Sequence, residues 1–335
     1  MRVINWKKIL LIIALALVVV YPFLDKNDYR LYLANRALIH SILVSGLVFL
    51  TGFAGQISLG QAGFYAIGAY TSAYITTRLG MPIILGIMCG ILLSLVAGLI
   101  LSIPSFKLKA FFLSLVTIAF GQIVYVLILN LQSITGGPYG LFGIPPMKVG
   151  QYYFDNKGYY YTFLIILVLV ILIIYRIKNS YLGRSMFAIN DDVIAAEVCG
   201  INSKQSKIFA FALSASLAGL AGSLYAHLAG FLSPEPFTFF ESSNFVAMAV
   251  VGGLRNILGG TIGGVTLTFL PEFLRFRGWE NYYLIVTSLI VVLVVVFMPN
   301  GLGNIIFKLF RGKTHSHVIH KETTTLRKEK EGGTK

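Results

Sequence analysis

YYYTFLIILVLVILIIY, residues 159–175, runs through 17 positions without a charged side chain. A helix needs about 20 mostly apolar residues to cross a lipid bilayer, and similar runs recur along most of this chain. Of its 335 residues, 56% are apolar and only 12% are charged, whereas soluble domains carry about 25% charged residues. Runs such as ILLIIALALVVV (9–20) also lack the alternation of a transmembrane β-barrel. The sequence therefore predicts an all-α polytopic membrane protein.

Ten segments are predicted to cross the membrane, with both termini in the cytoplasm. In this orientation 19 Lys and Arg residues fall on the cytoplasmic side and 8, counting Arg36, on the other, as the positive-inside rule requires. The glycine-rich GGLRNILGGTIGG (252–264) leaves open a re-entrant hairpin over 243–274, which would reduce the count to eight. The first segment could instead be a signal peptide, but it lacks a small-x-small cleavage site. The predicted spans are 9–24, 33–51, 57–77, 82–103, 110–131, 159–175, 208–231, 243–258, 259–274 and 282–299.

These spans divide the chain into a transmembrane domain, residues 1–307, and a polar tail, residues 308–335, which we expect to be disordered in the cytoplasm. Within the domain, residues 176–207 form a cytoplasmic loop and residues 132–158 an external loop. The glycines and prolines of TGGPYGLFGIPP predict turns in that external loop rather than a helix. The net charge of +14 follows from the cytoplasmic excess of Lys and Arg, so we predict a lipid bilayer and no nucleic acid as partner. No metal site is predicted.

The cytoplasmic loop contains the polar stretch GRSMFAINDDVIAAEVCGINSK, residues 183–204. Asn190 is a good N-cap, and Asp191 and Asp192 would then lie in the first turn, where the helix dipole favours acids. Gly200, followed by an apolar residue, predicts a Schellman stop. The sequence thus predicts a helix over 191–199.

That helix is too short to be stable alone, so it must pack on another surface. Ala195 and Ala196 would let another protein approach its backbone closely, which is typical of a docking helix for a cytoplasmic partner. The alternative is a connector that lies on the lipid headgroups.

Small residues recur every four positions in SASLAGLAGSLYAHLAG, which predicts a ridge for close helix packing. Gly259 and Gly263, and Gly260 and Gly264, repeat the spacing. The predicted ridge consists of Ser214, Ala218, Gly222, Ala226 and Gly230.

Polar side chains inside otherwise apolar segments need partners. They either bond neighbouring helices or line a path for a polar solute, and a zwitterionic amino acid would need such neutral donors and acceptors. The candidates for the path are Gln56, Ser58 and Gln61, with His227 and Asn244 as weaker ones.

Ala195-Ala196, three residues and then Gly200 resemble the Ala-Ala-x-x-x-Gly part of the motif by which permeases of ABC importers dock their ATPases. Ile194 stands where a glutamate opens that motif. Asn190 stands where the family usually has a base, so a charge contact to the ATPase is expected to differ here.

Seven blocks in family order, over about 250 residues, resemble LivM-type permeases of the branched-chain amino acid ABC importer family. This resemblance implies a permease in the cell membrane that carries branched-chain amino acids and binds no cofactor itself. It also implies a homologous permease subunit, two cytoplasmic ATPases that bind ATP and Mg²⁺, and an extracytoplasmic solute-binding protein. Lys148, Glu235 and Glu241 lie on the external side and could help to dock that protein. The blocks are GFAGQISLGQAGFYAIGAY, TGGPYGLFGIP, GRSMFAI, AFALSASLAGLAGSLYA, MAVVGGLRNILGGTIGG, LPEFLR and MPNGL.

Three other functions compete with this one: an ion-coupled secondary transporter, a permease for urea or amides, and a membrane enzyme. The chain has no G-x-x-x-x-G-K-[ST] phosphate loop, so any ATP hydrolysis must come from separate subunits. An ion-coupled secondary transporter usually keeps ionisable residues near the membrane midplane, and the predicted spans are almost free of Asp and Glu. Related permeases carry urea or amides, which leaves the solute open. An enzyme is disfavoured, because the sequence lacks HExxH and a nucleophile elbow.

Overall fold

The computed structural model describes residues 18–23, 25, 27–105, 110–149, 152–276, 282–297, 301 and 303. Residues 21–304 form one compact unit. The predicted tail and most of the first predicted span lie outside the described residues. The described part is mainly helical, as the sequence predicted. Its helices are α1 Asp28–Val48, α2 Gln61–Thr77, α3 Ile83–Ser105, α4 Ala110–Asn130, α5 Asn156–Lys178, α6 Tyr181–Asp191, α7 Val193–Val198, α8 Ser203–Ala229, α9 Phe239–Gly252, α10 Ile257–Phe276 and α11 Tyr283–Phe297.

Six segments of the described chain are long and apolar enough to cross a membrane. They match six of the predicted spans, which supports an all-α polytopic membrane protein. Helices α2, α9 and α11 have 17, 14 and 15 residues, so the count of ten spans stays a prediction, as does the location of the termini. The six segments are Asp28–Phe53, Ile83–Pro104, Phe111–Asn130, Asn156–Lys178, Ser203–Ala229 and Ile257–Arg275.

The helices are arranged with the less apolar ones inside. Helices α1, α8 and α10 are more buried and less apolar than α3, α4 and α5. Helix α1 is enclosed on almost all sides and packs against α5, α8, α9 and α10. The peripheral helices α3, α4 and α5 carry exposed leucine, isoleucine and valine side chains, for example Ile84, Ile123 and Ile165. This order is what a bilayer favours, because lipid dissolves apolar side chains and polar groups must find partners inside the protein.

Helix α8 packs against α2 and α3 through small residues. A Cβ atom on Gly222 would overlap the carbonyl oxygen of Tyr65, and one on Gly68 would overlap Gly219. The predicted ridge therefore holds for its first four residues, which are buried. Gly230 was assigned to it wrongly, because it follows the last residue of α8 and ends the helix in a left-handed conformation with φ +69°.

Helices α9 and α10 form an antiparallel hairpin around the turn 253–256. Gly259 lies against the backbone of Gly252, and Gly263 lies against the carbonyl oxygen of Met248. Gly264 faces Ser41 of α1, where an added Cβ would lie 3.0 Å from the hydroxyl oxygen. The paired glycines thus pack α10 on both α9 and α1. The predicted boundary at residue 258 was wrong by a few positions, because the turn comes earlier.

The external loop is built from turns and short strands, in agreement with its glycines and prolines. It contains a helical turn, Gln132–Thr135, and a 3-10 turn, Gly137–Tyr139. Strand β1 (Leu141–Phe142) pairs antiparallel with β4 (Phe231–Leu232), just after α8, and β2 (Lys148–Val149) pairs with β3 (Tyr152–Tyr153). A further 3-10 turn, Glu235–Phe237, leads into α9.

Candidate functional sites

The cytoplasmic loop folds into two helices that meet at Asp192. This residue is extended (φ −155°, ψ 114°), and its Oδ1 accepts hydrogen bonds from the backbone N–H groups of Ile194 (2.8 Å) and Ala195 (3.1 Å). Asp192 is therefore the N-cap of α7. The prediction that Asn190 would cap the helix was wrong, because α6 continues through Asn190 and Asp191.

The predicted Schellman stop is confirmed. The N–H of Gly200 donates to the carbonyl of Glu197 at 2.9 Å, and the N–H of Ile201 donates to the carbonyl of Ala196 at 3.0 Å. Gly200 has φ +82°, a conformation that glycine adopts without strain. Helix α7 is thus fixed at both ends despite its six residues.

Helix α7 presents an apolar face at the surface of the protein. Ile194 is 75% exposed and Val198, one turn later, is 84% exposed. Ala195 is exposed as well, whereas Ala196 is buried at 4%. Of the two alanines predicted to dock a partner, only Ala195 is therefore accessible.

Asn190 joins the cytoplasmic loop to the end of α1. Its Nδ2 donates to the carbonyl oxygen of Gly52 at 3.0 Å, and its side chain lies close to Gly55. The Phe187 ring of α6 lies 4.7 Å from the Phe53 ring. One residue beyond Asn190, Asp191 forms a 3.3 Å ion pair with an arginine of the α9–α10 turn, Arg255.

The helical conformation is interrupted between α1 and α2, over residues 49–60, a segment that we call the break. Residues Phe49–Phe53 form a π-helical turn, and residues 55–60 are not helical. The predicted span 57–77 therefore starts too early, since α2 begins at Gln61. π-Helical turns are often found at functional sites.

The first three path candidates lie at this break and are buried. Gln61 Nε2 donates to Ser214 Oγ of α8 at 3.0 Å. Within the described chain, Gln61 Oε1 and Ser58 Oγ have no hydrogen-bond partner. The backbone N–H of Ala62 donates to Ser242 Oγ of α9 at 2.9 Å. Gln56 is buried at 3%, so the break gathers three buried polar side chains.

The break also touches the α9–α10 turn through their backbones. A Cβ atom on Gly52 would overlap the carbonyl oxygen of Leu254. Together with Asn190, this contact brings three segments to one point: the end of α1, the cytoplasmic loop and the α9–α10 turn.

His227 lies apart from the break, in the last turn of α8. Its Nε2 is 2.9 Å from Ser72 Oγ, and its Nδ1 is 2.8 Å from the carbonyl oxygen of Pro145. Tyr159 donates its hydroxyl to the His227 carbonyl at 2.8 Å. These contacts tie α8 to α2 and to the external loop, which supports the structural alternative for this histidine.

Asn244 lies at a third place, in a cavity between α1, α9 and α10. Arg36, His40 and Glu241 line the same cavity. In the predicted topology Arg36 counts as an external charge, and Glu241 is predicted to lie near the binding protein. The signal for Arg36 was available, because an arginine within an apolar helix is expensive and usually functional. The structure therefore separates the five path candidates into three groups.

No group of three His, Cys, Asp or Glu side chains in the described ranges is placed to hold a metal ion. Cys89 and Cys199 are both free thiols.

Known proteins resemble this chain over most of its length. Residues 29–295 match the family described as "Branched-chain amino acid transport system / permease component". The high-affinity branched-chain amino acid transport system permease protein LivM of Escherichia coli K12 is 32% identical, with 88% of this chain and 75% of LivM covered.

Two further relatives are more distant. The ribose import permease protein RbsC of Haemophilus influenzae is 26% identical over 88% of this chain and 92% of its own. The permease protein LivH of Escherichia coli K12 is 25% identical over 78% of this chain and 90% of its own. No solved structure matches this chain.

The family consists of ABC transporter permeases, which are transport components rather than enzymes and work with ATPases and binding proteins. The cytoplasmic loop and the six long apolar helices agree with such a role. This chain belongs to the branched-chain amino acid transport permease family and is a multi-pass permease subunit of an ABC importer in the cell membrane.

Proposed function

We propose that this permease carries branched-chain amino acids, delivered from outside by a solute-binding protein. The name of its relative LivM supports this solute. We further propose that its partners are a homologous permease, as the likeness to LivH suggests, and two ATPases that bind ATP and Mg²⁺. This chain itself binds no cofactor in the proposal.

The exposed face of α7 carries the proposal for ATPase docking. Ile194, Ala195 and Val198 are accessible, while the caps at Asp192 and Gly200 hold the helix in shape. An apolar face that is exposed on a rigid helix is typical of a protein contact. We assign it to a cleft in the ATPase surface.

Asn190 provides the route from the docked helix to the membrane. Movement of α6 and α7 would pull on Gly52 through the Asn190 hydrogen bond and on the α9–α10 turn through Asp191. The first contact ends at the break that holds Gln56, Ser58 and Gln61, and the second ends at the turn that touches this break through Leu254. Closure of the ATPases would thus shift the break between two arrangements, one open to the outside and one open to the inside.

The experiment starts from the native complex. The tagged chain is purified from its own membranes in mild detergent, and the proteins that accompany it are identified by mass spectrometry. We expect an ATPase with a phosphate loop and a second, similar permease. Isolation of the chain alone, still active in solute uptake, would instead support a secondary transporter.

The solute is tested on the same complex in proteoliposomes with its binding protein. We expect ATP-dependent uptake of labelled leucine that isoleucine and valine compete for and that ribose does not affect. Competition by ribose, urea or amides instead would contradict the proposed solute.

A further inference from the structure

A polar cavity of about 140 Å³ lies between α1, α9 and α10. Tyr29, in the first turn of α1, lines it and is 47% exposed, so the cavity reaches the end of α1 that the topology places outside. Leu33, Met248 and Leu267 form an apolar part of the wall. The volume accommodates several water molecules, since each needs roughly 10–15 Å³ of such space.

Two opposite charges line this cavity inside the helix bundle. Arg36 lies eight residues after the start of α1, or about 12 Å along a helix that rises 1.5 Å per residue. Glu241 lies in the first turn of α9. Charged side chains at such depth are expensive, and those that persist usually pair with one another or contact a solute.

The two charges do not pair with each other. Among the described residues, ion pairs within 4.0 Å occur elsewhere and none joins Arg36 to Glu241. The Arg36 Nε atom is buried and has no hydrogen-bond partner in the described chain. Glu241 Oε2 accepts a hydrogen bond of 3.4 Å from the neutral amide of Asn244. Arg36 and Glu241 thus line one cavity without forming an ion pair within 4.0 Å.

The other polar groups of the wall are already engaged. His40 Nδ1 is 2.9 Å from Thr268 Oγ1, and Tyr29 donates its hydroxyl to Glu272 at 3.0 Å. Among the described residues, Arg36 and Glu241 are therefore the charged groups of the wall that have no hydrogen bond or ion pair to a charged or hydroxyl group.

We propose that this cavity binds the α-ammonium and α-carboxylate groups of the transported amino acid. The guanidinium of Arg36 would hold the carboxylate, for which its planar fork is suited, and the carboxylate of Glu241 would hold the ammonium. A zwitterion neutralises both walls at once, whereas a sugar neutralises neither and a simple carboxylate leaves Glu241 uncompensated. The proposal rests on an amino acid as the solute and names the chemical groups that are recognised.

Binding is tested directly by protection from thiol labelling in the purified complex, without the binding protein. Cys89 and Cys199 are replaced by serine, and a reporter cysteine is placed in the cavity wall as Met248→Cys. We expect leucine to slow its reaction with a methanethiosulfonate reagent. Leucinamide, which lacks the carboxylate, and 4-methylpentanoate, which lacks the ammonium, should give no protection. A control cysteine at the exposed position 139, Tyr139→Cys, should react equally fast with and without leucine.

Transport is measured with matched variants. Arg36→Gln and Glu241→Gln should each lower leucine uptake by roughly 10- to 100-fold, the range for a charge-assisted hydrogen bond. Arg30→Gln changes an exposed arginine of the same helix, which forms a 3.5 Å ion pair with Asp25 outside the cavity, and should retain uptake. Asp28→Asn changes an exposed acid in the first turn of α1 that does not line the cavity, and it is the matched control for Glu241→Gln.

The outcomes separate this proposal from the proposed function. If the unaltered complex transports no branched-chain amino acid, the proposed function fails, and this inference fails with it. If leucine is transported but neither protects Met248→Cys nor needs Arg36, only the cavity assignment is overturned. If Arg36→Gln does not assemble, the labelling result still decides.

Discussion

The two ends of α1 make different kinds of contact with the α9–α10 hairpin. At the C-terminal end of α1, Gly52 lies directly against the backbone of Leu254, and Asn190 hydrogen-bonds to Gly52 at the same contact. Toward its N-terminal end, Arg36 lines a cavity together with Glu241 of α9. A tightly packed contact of this kind transmits a displacement, because packed interiors deform little. A cavity with unpaired charges can instead accommodate a ligand.

The largest effect is expected from adding a side chain at the contact between Gly52 and Leu254. Gly52→Val would push a side chain into the Leu254 carbonyl, a backbone group that cannot turn away, and we expect destabilisation by about 3 kcal/mol or more. Thermal unfolding of the detergent-solubilised protein measures it. Met248→Leu in the outer cavity should cost less than about 1.5 kcal/mol, as volume-conserving exchanges do. Equal losses at the two sites would remove the distinction between a packed and an open end.

The next effect concerns the exposed face of α7. Ala195→Trp should lower uptake by about tenfold or more, because the large side chain would keep the ATPase from approaching α7 closely. The level of the protein in the membrane should stay normal. Ala196→Trp should lower the protein level itself, because Ala196 is buried. Uptake assays and immunoblots of membranes separate the two results. Normal uptake by Ala195→Trp would refute docking through this face.

A smaller effect is expected from the hydrogen bond between the loop and the break. Asn190→Ala removes a contact worth about 1 kcal/mol, so leucine uptake should fall roughly fivefold while ATP hydrolysis by the complex continues. Asn179→Ala, an exposed asparagine at the end of α5, is the control. If hydrolysis and uptake fell together, Asn190 would support the assembly rather than transmit movement.

The smallest effect should come from the ion pair beside Asn190. Asp191 and Arg255 are 72% and 70% exposed, and such pairs contribute about 0–1 kcal/mol. Asp191→Asn should therefore change uptake by less than about fivefold, and high salt should remove most of the difference. A loss as large as that of Asn190→Ala would show that the ion pair shares the coupling.

The sequence predicted features that depend on local chemistry. The apolar runs located six long helices, and Gly200 with Ile201 located the end of α7. The start of α7 was misplaced because Asn190, Asp191 and Asp192 are all good N-caps. The choice among them depends on Gly52, 138 residues away in the chain, because its carbonyl oxygen accepts a hydrogen bond from the Asn190 side chain.

The outer cavity could not be assembled from the sequence, because its two charges lie about 200 positions apart. Arg36 was close enough to the predicted membrane boundary to count as an external charge. Glu241 lay just before a predicted span. Only the packing of α9 and α10 on α1 brings them to one cavity, and that packing depends on the Gly263 and Gly264 contacts with Met248 and Ser41.

The burial of the less apolar helices inside the bundle has a consequence for biosynthesis. Helix α1 carries Asn35, Arg36 and His40 and leaves the ribosome before the more apolar α3, α4 and α5. An arginine near the centre of an isolated helix opposes insertion by about 2.5–3.5 kcal/mol, so α1 gains little by entering lipid alone. We therefore expect α1 to leave the translocon for the bilayer only when later helices are present to enclose it. Helix α10, which lines the same cavity as Arg36, is made more than 200 residues after it, and the finished arginine site therefore forms only near the end of translation.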